Sequence, residues 1–283
     1  MSRILSLAAL TVMELSPPDM VSCAADAGYS HVGLRLVPAT PTEVNWATIG
    51  DTPVIRETLA RLAATGIAVL DIEILRLKPD TRVADFLPVL ATAARLSARN
   101  ALIAGNDPDE SRLAERFAEL CDVAAPFGIA PCLEPMPWTD ARDIAQGARI
   151  VGAAARANAG LLIDPIHFDR GLSRASEIAA VPPAWFHYVQ MCDAPAERPT
   201  TLEGLLHQAR AERLLPGDGG LDLPGILRAL PPDLPISIEI PMEQLARSVG
   251  PLERARRALA ATRVLLQRNA NGSAKGSAKG SEL

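Results

Sequence analysis

Two short apolar runs in the middle of the chain each end on a carboxylate that is followed by proline. One run ends at Glu134, and the other ends at Asp164 with His167 three residues later. Similar apolar runs carry Gln190 and Glu239 near their ends. Four polar strand ends aimed at one place would bind a divalent cation or a polar substrate.

The runs before these polar residues have the length and composition of buried parallel strands. Segments with capping signals and helical apolar spacing lie between them, and the last is a closing helix over Pro251–Leu266. Eight strand-then-helix units predict a single (β/α)8 TIM barrel of the α/β class over residues 1–268. The predicted strands are Ile4–Leu10, His31–Leu36, Ile67–Leu75, Ala101–Ala104, Ile129–Leu133, Gly160–Ile163, Phe186–Met191 and Ile236–Ile240.

An open, doubly wound sheet is the alternative architecture for this alternation. Such a sheet usually carries a glycine-rich phosphate loop after its first strand. The segment from Leu10 to Glu14 contains no glycine, so a nucleotide-binding fold is disfavoured. Residues 269–283 have the composition of a flexible linker, and we exclude them from the barrel.

The composition restricts the classes of partner. The chain of 283 residues is 48% hydrophobic, with a net charge of -5 and a pI of about 5.5. This charge argues against nucleic-acid and anionic membrane partners, which require clustered Lys and Arg. Four scattered cysteines and a short apolar start interrupted by acidic Glu14 are typical of a cytoplasmic protein. The oligomeric state stays open, and a homodimer is one option.

The prediction of a metal site depends on three acids at strand ends. A carboxylate at the end of a buried strand is costly to keep dry without a partner. Glu134, Asp164 and Glu239 share that position, whereas Arg35 is the one arginine seen at a strand end. One arginine cannot relieve three acids, so we predict that a divalent cation binds all three. The alternative is that each acid caps the helix that follows it.

Other polar groups near the strand ends are candidates for contact with substrate. Arg35 lies near the end of the second strand and Glu73 lies within the third, and His167 can fold back over the site as a donor. His187 lies early in the seventh strand, where either a packing role or contact with substrate is compatible with the pattern. The connection from Asp193 to Gly220 is long enough to be a lid that brings Arg210 and Arg213 to a substrate.

Taken together, these motifs resemble the xylose-isomerase-like TIM barrels over residues 3–266. This superfamily contains sugar-phosphate isomerases and epimerases, inosose isomerases and dehydratases, ketose 3-epimerases, 3-dehydroshikimate dehydratases and apurinic-site endonucleases. The matching elements are Leu-Glu134-Pro, Asp164-x-x-His167, a polar residue before Asp193, Arg213-x-x-Pro-Gly-x-Gly and Ile-Glu239-Ile.

The resemblance implies that Glu134, Asp164 and Glu239 are metal ligands. Many relatives keep a histidine as the strand-seven ligand, where this chain has Gln190. An amide oxygen is a weaker ligand for Zn²⁺ than imidazole, so Mn²⁺ or Mg²⁺ is favoured, with Co²⁺ and Zn²⁺ as alternatives. His167 and Arg213 match positions that touch substrate in the family.

The reaction implied is proton transfer on a small polyhydroxy ketone, such as a sugar, a sugar phosphate or an inosose. A cation would stabilise the enediolate, while Glu134 and Glu239 act as base and acid. Loss of a β-hydroxyl at the same site would make the protein a dehydratase, and a non-catalytic binding barrel is a further alternative. Four histidines and an acidic pI speak against an endonuclease.

Overall fold

The computed structural model describes the backbone of residues 3–278, with side chains as far as Asn271. Within this range, eight parallel strands form one sheet in the order β6-β5-β4-β3-β2-β1-β8-β7. The strands are Leu5–Leu7 (β1), His31–Arg35 (β2), Ala68–Leu77 (β3), Asn100–Gly105 (β4), Ala130–Glu134 (β5), Gly160–Leu161 (β6), Val189–Met191 (β7) and Ile236–Ile238 (β8).

The two outer strands of this sheet meet. Ile163, just beyond β6, forms a parallel bridge with Val189 of β7, and the N–H of Gln190 donates to the carbonyl of Ile163 at 2.9 Å. The sheet therefore curls into a TIM barrel, and the predicted fold class is confirmed. Its interior is filled by side chains that include Leu70, Leu102, Cys132, Leu162 and Tyr188.

Helices cover the outside of the barrel, and most begin where the sequence places a cap. Ser16 and Thr52 accept backbone N–H groups at the starts of the first two helices, and Gly28 ends the first with a φ of 90°. The described residues form helices at Pro17–Ala27 (α1), Pro53–Thr65 (α2), Leu87–Arg95 (α3), Glu110–Ala124 (α4), Ile144–Ala154 (α5), Pro165–Arg170 (α6), Ala175–Ala179 (α7), Leu202–Ala211 (α8), Leu223–Ala229 (α9), Glu243–Ala246 (α10) and Pro251–Ala278 (α11).

The first strand is shorter than the predicted Ile4–Leu10. It stops at Leu7, and Ala9–Val12 turn into a 3-10 helix. The Thr11 hydroxyl donates to the carbonyl of Ile238 and accepts the N–H of Ile240, both at 2.9 Å. A side chain thus replaces the backbone ladder beside the end of β8, which allows β1 to end early.

The long connection from Asp193 to Gly220 is not structureless. It contains α8, which begins where the hydroxyl of Thr201 accepts the N–H of Gly204 at 3.1 Å. Outside this connection, a short helix that was not predicted from the sequence, α6, directly follows Asp164.

The closing helix is longer than the predicted Pro251–Leu266, since α11 runs to Ala278. The last five residues of the predicted flexible tail lie outside the described residues, so the flexibility of that tail stays a prediction. None of the helices in the described chain has an apolar stretch long enough to cross a membrane.

Candidate active site

The carboxyl ends of the strands open into a cavity of about 470 Å³. This is the end at which TIM barrels place their chemistry. Six of the predicted residues line the cavity directly, namely Arg35, Glu134, His167, Arg210, Arg213 and Glu239. Asp164 lies immediately behind them, since its carboxylate contacts His167 and Arg213.

Glu134 is the last residue of β5, held in register with Ala104 of β4. Its side chain is buried, and its Oε1 has no hydrogen-bond partner among the described residues. Burial, followed by the nearby carboxylates of Asp164 and Glu239, raises its pKa well above the ordinary range. An unpaired, buried carboxylate of this kind is a strong candidate for a ligand or a proton-transfer group.

Asp164 caps α6 and also faces the site. Its Oδ1 accepts the N–H of Ile166 at 2.9 Å, and its Oδ2 accepts from Arg213 Nη1 at 2.6 Å. Although burial alone would raise the pKa of Asp164, the charge of Arg213 and the neighbouring His167 lower it. The capping alternative raised for this acid is therefore correct, but it occupies only one oxygen.

His167 lies one turn into α6 and folds back over both acids. Its Nε2 is 3.7 Å from Glu134 Oε1 and 3.9 Å from Asp164 Oδ2. The ring meets Trp138 edge-on, with 4.8 Å between the ring centroids. Burial lowers the pKa of His167 to about 4, so the imidazole is neutral at physiological pH and able to bind a metal.

Glu134, Asp164 and His167 form a cluster whose ligand atoms all lie within 4.8 Å of one another. Ligands of one cation at about 2.1 Å are roughly 3 to 3.4 Å apart, so side-chain shifts on the order of 1 Å would bring these atoms into a coordination sphere. The unpartnered oxygen of Glu134 and the neutral imidazole are suitable donors. This cluster therefore fits a divalent cation, with the mixed oxygen and nitrogen donors that Mn²⁺, Co²⁺ and Zn²⁺ accept.

Arg213 neutralises two of the three strand-end acids, which the sequence did not predict. Its Nη1 binds Asp164, and its Nη2 lies 2.9 Å from Glu239 Oε2. Two buried acids are thus relieved by an arginine that the sequence placed in a loop. Arg35 is therefore not the one arginine available to the strand-end acids, because Arg213 pairs with two of the three.

Antiparallel pairing brings Arg213 into the barrel. Bridges join Asp193 to Leu214 and Glu212 to Met242, so the chain on either side of Arg213 is fixed at the rim. The Asp193 carboxylate also accepts the N–H groups of Gly217 and Gly219, at 2.9 Å and 3.1 Å. The glycine-rich turn after Arg213 is therefore fastened to the end of β7.

Glu239 follows β8 directly and is held by the donor from Arg213. Burial raises its pKa to about 7, with the carboxylates of Glu73 and Asp164 acting in the same direction and Arg213 opposing them. Its carboxylate is not part of the Glu134–Asp164–His167 cluster. The predicted role of Glu239 as a metal ligand stays a prediction, whereas its near-neutral pKa suits a group that gains and loses protons.

Gln190 occupies the middle of β7, fully buried, and neither atom of its amide has a hydrogen-bond partner among the described residues. It is in register with Ser237 of β8, which pairs in turn with Ser6 of β1. The hydroxyls of both serines are also buried without a partner. Buried polar groups normally form hydrogen bonds, so this row can bind a polar ligand.

The remaining predicted residues divide into two groups. Arg35 lines the cavity and pairs with Glu73 at 2.7 Å and with Glu43 at 3.2 Å, so Glu73 is fully buried behind it. His187 instead packs at the start of β6, close enough to Gly160 that a Cβ there would lie 2.5 Å from its ring. It does not line the cavity, and its position favours the packing alternative over contact with substrate.

Trp138 and Arg76 line the cavity and were not identified from the sequence. Trp138 contacts His167 edge-on. Arg76 projects from β3, which ends at Leu77, two residues beyond the predicted Leu75. Trp138 follows Glu134 within the segment Pro-Met-Pro-Trp. An aromatic residue so soon after a candidate ligand was the available signal.

A family model described as xylose isomerase-like TIM barrel matches residues 21–265. The chain therefore belongs to the xylose isomerase-like TIM barrel family, as its motifs indicated. None of the curated protein sequences matches the chain.

Solved structures share this fold at low sequence identity. A fusion of a xylose isomerase-like TIM barrel with 4-hydroxyphenylpyruvate dioxygenase has a TM-score of 0.76 and 20% identity, over 92% of this chain and 42% of the fusion. The IOLI protein with a bound zinc atom has a TM-score of 0.75 and 19% identity, over 94% and 99% of the two chains. An L-ribulose 3-epimerase has a TM-score of 0.69 and 17% identity, over 98% of each chain.

Proposed function

We propose that the protein is a divalent-metal-dependent isomerase or epimerase that acts on a small polyhydroxy ketone. The observation that carries the proposal is the convergence of Glu134, Asp164 and Glu239, from the ends of β5, β6 and β8, around one cavity. The L-ribulose 3-epimerase, which shares the fold, supports this class of reaction, and the IOLI protein with its bound zinc atom supports a metal in such a barrel.

The protein's own groups supply the proton chemistry. Glu239, with a pKa of about 7, can take a proton from the carbon beside the substrate carbonyl near neutral pH. Glu134, buried and unpaired, can return a proton from its own side of the cavity. Return to the opposite face of the same carbon gives an epimer, whereas return to the neighbouring carbon gives an isomer.

Glu134, Asp164 and neutral His167 would hold the cation, and Mn²⁺ suits this donor set best. When bound, a divalent cation supplies Lewis-acid polarisation of the carbonyl and hydroxyl oxygens of the substrate. Arg213, held between Asp164 and Glu239, keeps the Glu239 carboxylate oriented toward the cavity.

Proton exchange tests the proposal before the natural substrate is known. Metal-depleted protein and protein loaded with Mn²⁺ would be incubated in D₂O with a panel of ketoses, ketose phosphates and inososes. We expect NMR to show deuterium at the carbon next to the carbonyl of at least one compound, with the metal-loaded protein only. Appearance of a conjugated double bond would indicate a dehydratase instead.

Two variants and one control make the result specific. Glu134→Gln and Glu239→Gln should each reduce exchange by about 100-fold or more, because each removes a proton-transfer group. Glu115→Gln changes an exposed glutamate on α4 and should have no effect. If no compound exchanges and the protein shows no Mn²⁺-dependent rise in melting temperature, the enzyme proposal is wrong and a binding barrel is favoured.

A further inference from the structure

Most arginines that line the cavity are neutralised by a carboxylate. Arg35 pairs with Glu43 and Glu73, and Arg213 pairs with Asp164 and Glu239. Arg254 pairs with Glu14 at 2.5 Å. Within the described part of the chain, Arg76 and Arg210 line the same cavity without an ion pair to any carboxylate.

Arg76 is only weakly bound by neighbouring groups. Its Nη1 donates to Asn106 Oδ1 at 3.3 Å, and its Nη2 donates to the carbonyl of Ala39 at 3.5 Å. The side chain is half-buried, and burial together with the charges of Arg210 and Arg35 lowers its pKa. A half-buried cation next to another cation is unfavourable, and an anion between them would relieve both.

Arg210 approaches from the other side of the mouth. It lies in the last turn of α8, and its Cζ is 6.0 Å from the ring centroid of Trp138. The same indole contacts His167 edge-on. The tryptophan thus links the guanidinium of Arg210 to the Glu134–Asp164–His167 cluster.

The register of the sheet gives the approximate distance between Arg76 and Glu134. Arg76 aligns with Ala104 of β4, and Ala104 aligns with Glu134 of β5. Adjacent strands lie about 4.8 Å apart, so Arg76 and Glu134 are separated by roughly 10 Å of backbone spacing. Arg76 and Glu134 both line the cavity, which is wide enough for a short carbon chain to reach from one to the other.

We infer that Arg76 and Arg210 form a subsite for an anionic group, a phosphate or a carboxylate, on the polyhydroxy ketone. This inference rests on the proposed function, since it takes the ketone to be the ligand of the Glu134–Asp164–His167 cluster. Guanidinium groups bind such oxyanions through charge-assisted hydrogen bonds. The substrate is therefore a sugar phosphate or a keto sugar acid, and a neutral ketose binds more weakly.

Binding measurements test the inference without requiring turnover. Protein loaded with Mn²⁺ would be titrated calorimetrically with D-fructose, D-fructose 6-phosphate and 5-keto-D-gluconate. We expect at least one anion to bind about tenfold more tightly than fructose, and the advantage to fall in about 0.5 M salt because exposed charges are screened. Preference for the phosphate or for the carboxylate identifies the kind of anion.

Variants assign the effect to the two arginines. Arg76→Gln and Arg210→Gln should each reduce the affinity for the preferred anion about tenfold while leaving that for fructose unchanged. Arg263→Gln removes an equal charge from the exposed face of α11 and should change neither. Equal affinity for fructose and both anions, or equal losses for all ligands in the two cavity variants, would overturn the inference.

The outcome is separable from that of the proposed function. If the anion preference is present but no compound exchanges its proton in D₂O, the proposed reaction is wrong while the anionic subsite stands. If fructose exchanges readily and neither anion binds more tightly, the reaction stands while the subsite is wrong.

Discussion

Arg213 Nη1 lies 2.6 Å from Asp164 Oδ2, and both side chains are buried inside the mouth of the barrel. The same guanidinium reaches Glu239 through its other terminal nitrogen. Burial alone would lower the pKa of Arg213, but the two acids raise it well above the ordinary value. A fixed positive charge therefore stands beside the cluster in which a divalent cation would share Asp164.

Replacing Arg213 tests this arrangement. Arg213→Met should lower the free energy of unfolding of the metal-depleted protein by about 3 kcal/mol, because it leaves two buried carboxylates without their partner. Added Mn²⁺ should recover part of the loss by binding those carboxylates, and it should raise the melting temperature of the variant more than that of the wild type. Urea unfolding and thermal melts with and without Mn²⁺ measure both effects.

A matched control separates this effect from the general cost of losing an ion pair. Arg112 binds Asp107 at 2.6 Å, with the aspartate buried and the arginine half-exposed, away from the cavity. Arg112→Met should cost less, and Mn²⁺ should not restore it. Equal recovery in both variants, or none in Arg213→Met, would contradict a cation site next to Arg213.

Replacing Glu134 should raise the stability of the metal-depleted protein, whereas replacing Arg213 should lower it. Its pKa is raised by burial above the ordinary 4.5, so the folded protein becomes less stable as the pH rises through and above that value. Glu134→Gln removes this penalty, and we expect the metal-depleted variant to be more stable than the wild type at pH 8. The gain should be smaller at pH 5.

Urea unfolding in the presence of a chelator measures this difference at the two pH values. Glu115→Gln, on the exposed face of α4, is the control and should show no pH-dependent difference. The same Glu134→Gln variant should lose the rise in melting temperature that Mn²⁺ produces in the wild type. A variant less stable than the wild type at pH 8 would mean that Glu134 is satisfied in the metal-free protein.

Much of the site was predictable because parallel strands deliver their last residues to one rim. An apolar run that stops at Glu134, Asp164 or Glu239 marks the end of a strand in the sequence. Because the strands of a barrel end at one rim, the same acids are then expected to lie close together. The role of Arg213 was not predictable in this way. It depends on antiparallel bridges between residues that are about 20 to 30 positions apart, and loop residues carry no periodic pattern that would reveal such pairing.

The limits of the pattern also appear in the strand ends themselves. Thr11 replaces backbone pairing at the end of β1 with its hydroxyl, which apolar periodicity cannot show. Arg76 belongs to β3 because that strand extends to Leu77, two residues past the predicted end at Leu75. A side-chain hydroxyl decides where β1 ends, whereas β3 continues because its backbone pairs with β4 as far as Gly105.

Gln190 offers a gain-of-function test. The family resemblance predicts it as the strand-seven metal ligand, and its buried amide has no hydrogen-bond partner among the described residues. Gln190→His should increase the affinity for Zn²⁺ by about tenfold or more, because imidazole is the better ligand for this ion. Competition with a chromophoric chelator measures the affinity. Gln190→Leu has similar bulk and no donor atom, and a similar gain in that variant would remove residue 190 from the metal site.

His167 gives the last prediction, a pH dependence that is distinct from that of the acids. Its pKa is lowered by burial from 6.5 to about 4, so the unfolded chain binds a proton between these values while the folded protein does not. The stability that His167 contributes is therefore complete above pH 6.5 and is lost as the pH falls toward 4. Between pH 7 and pH 5 this loss amounts to about 2 kcal/mol.

His167→Asn removes the group that titrates and should flatten the stability profile by that amount in urea unfolding of the metal-depleted protein. Glu134 and Glu239 act with the opposite sign in the wild type, so the informative quantity is the difference between variant and wild type at each pH. His207→Asn changes an exposed histidine and serves as the control. If the difference between His167→Asn and wild type is the same at pH 5 and pH 7, the imidazole is not buried in its neutral form, and its proposed role as a metal ligand loses its physical basis.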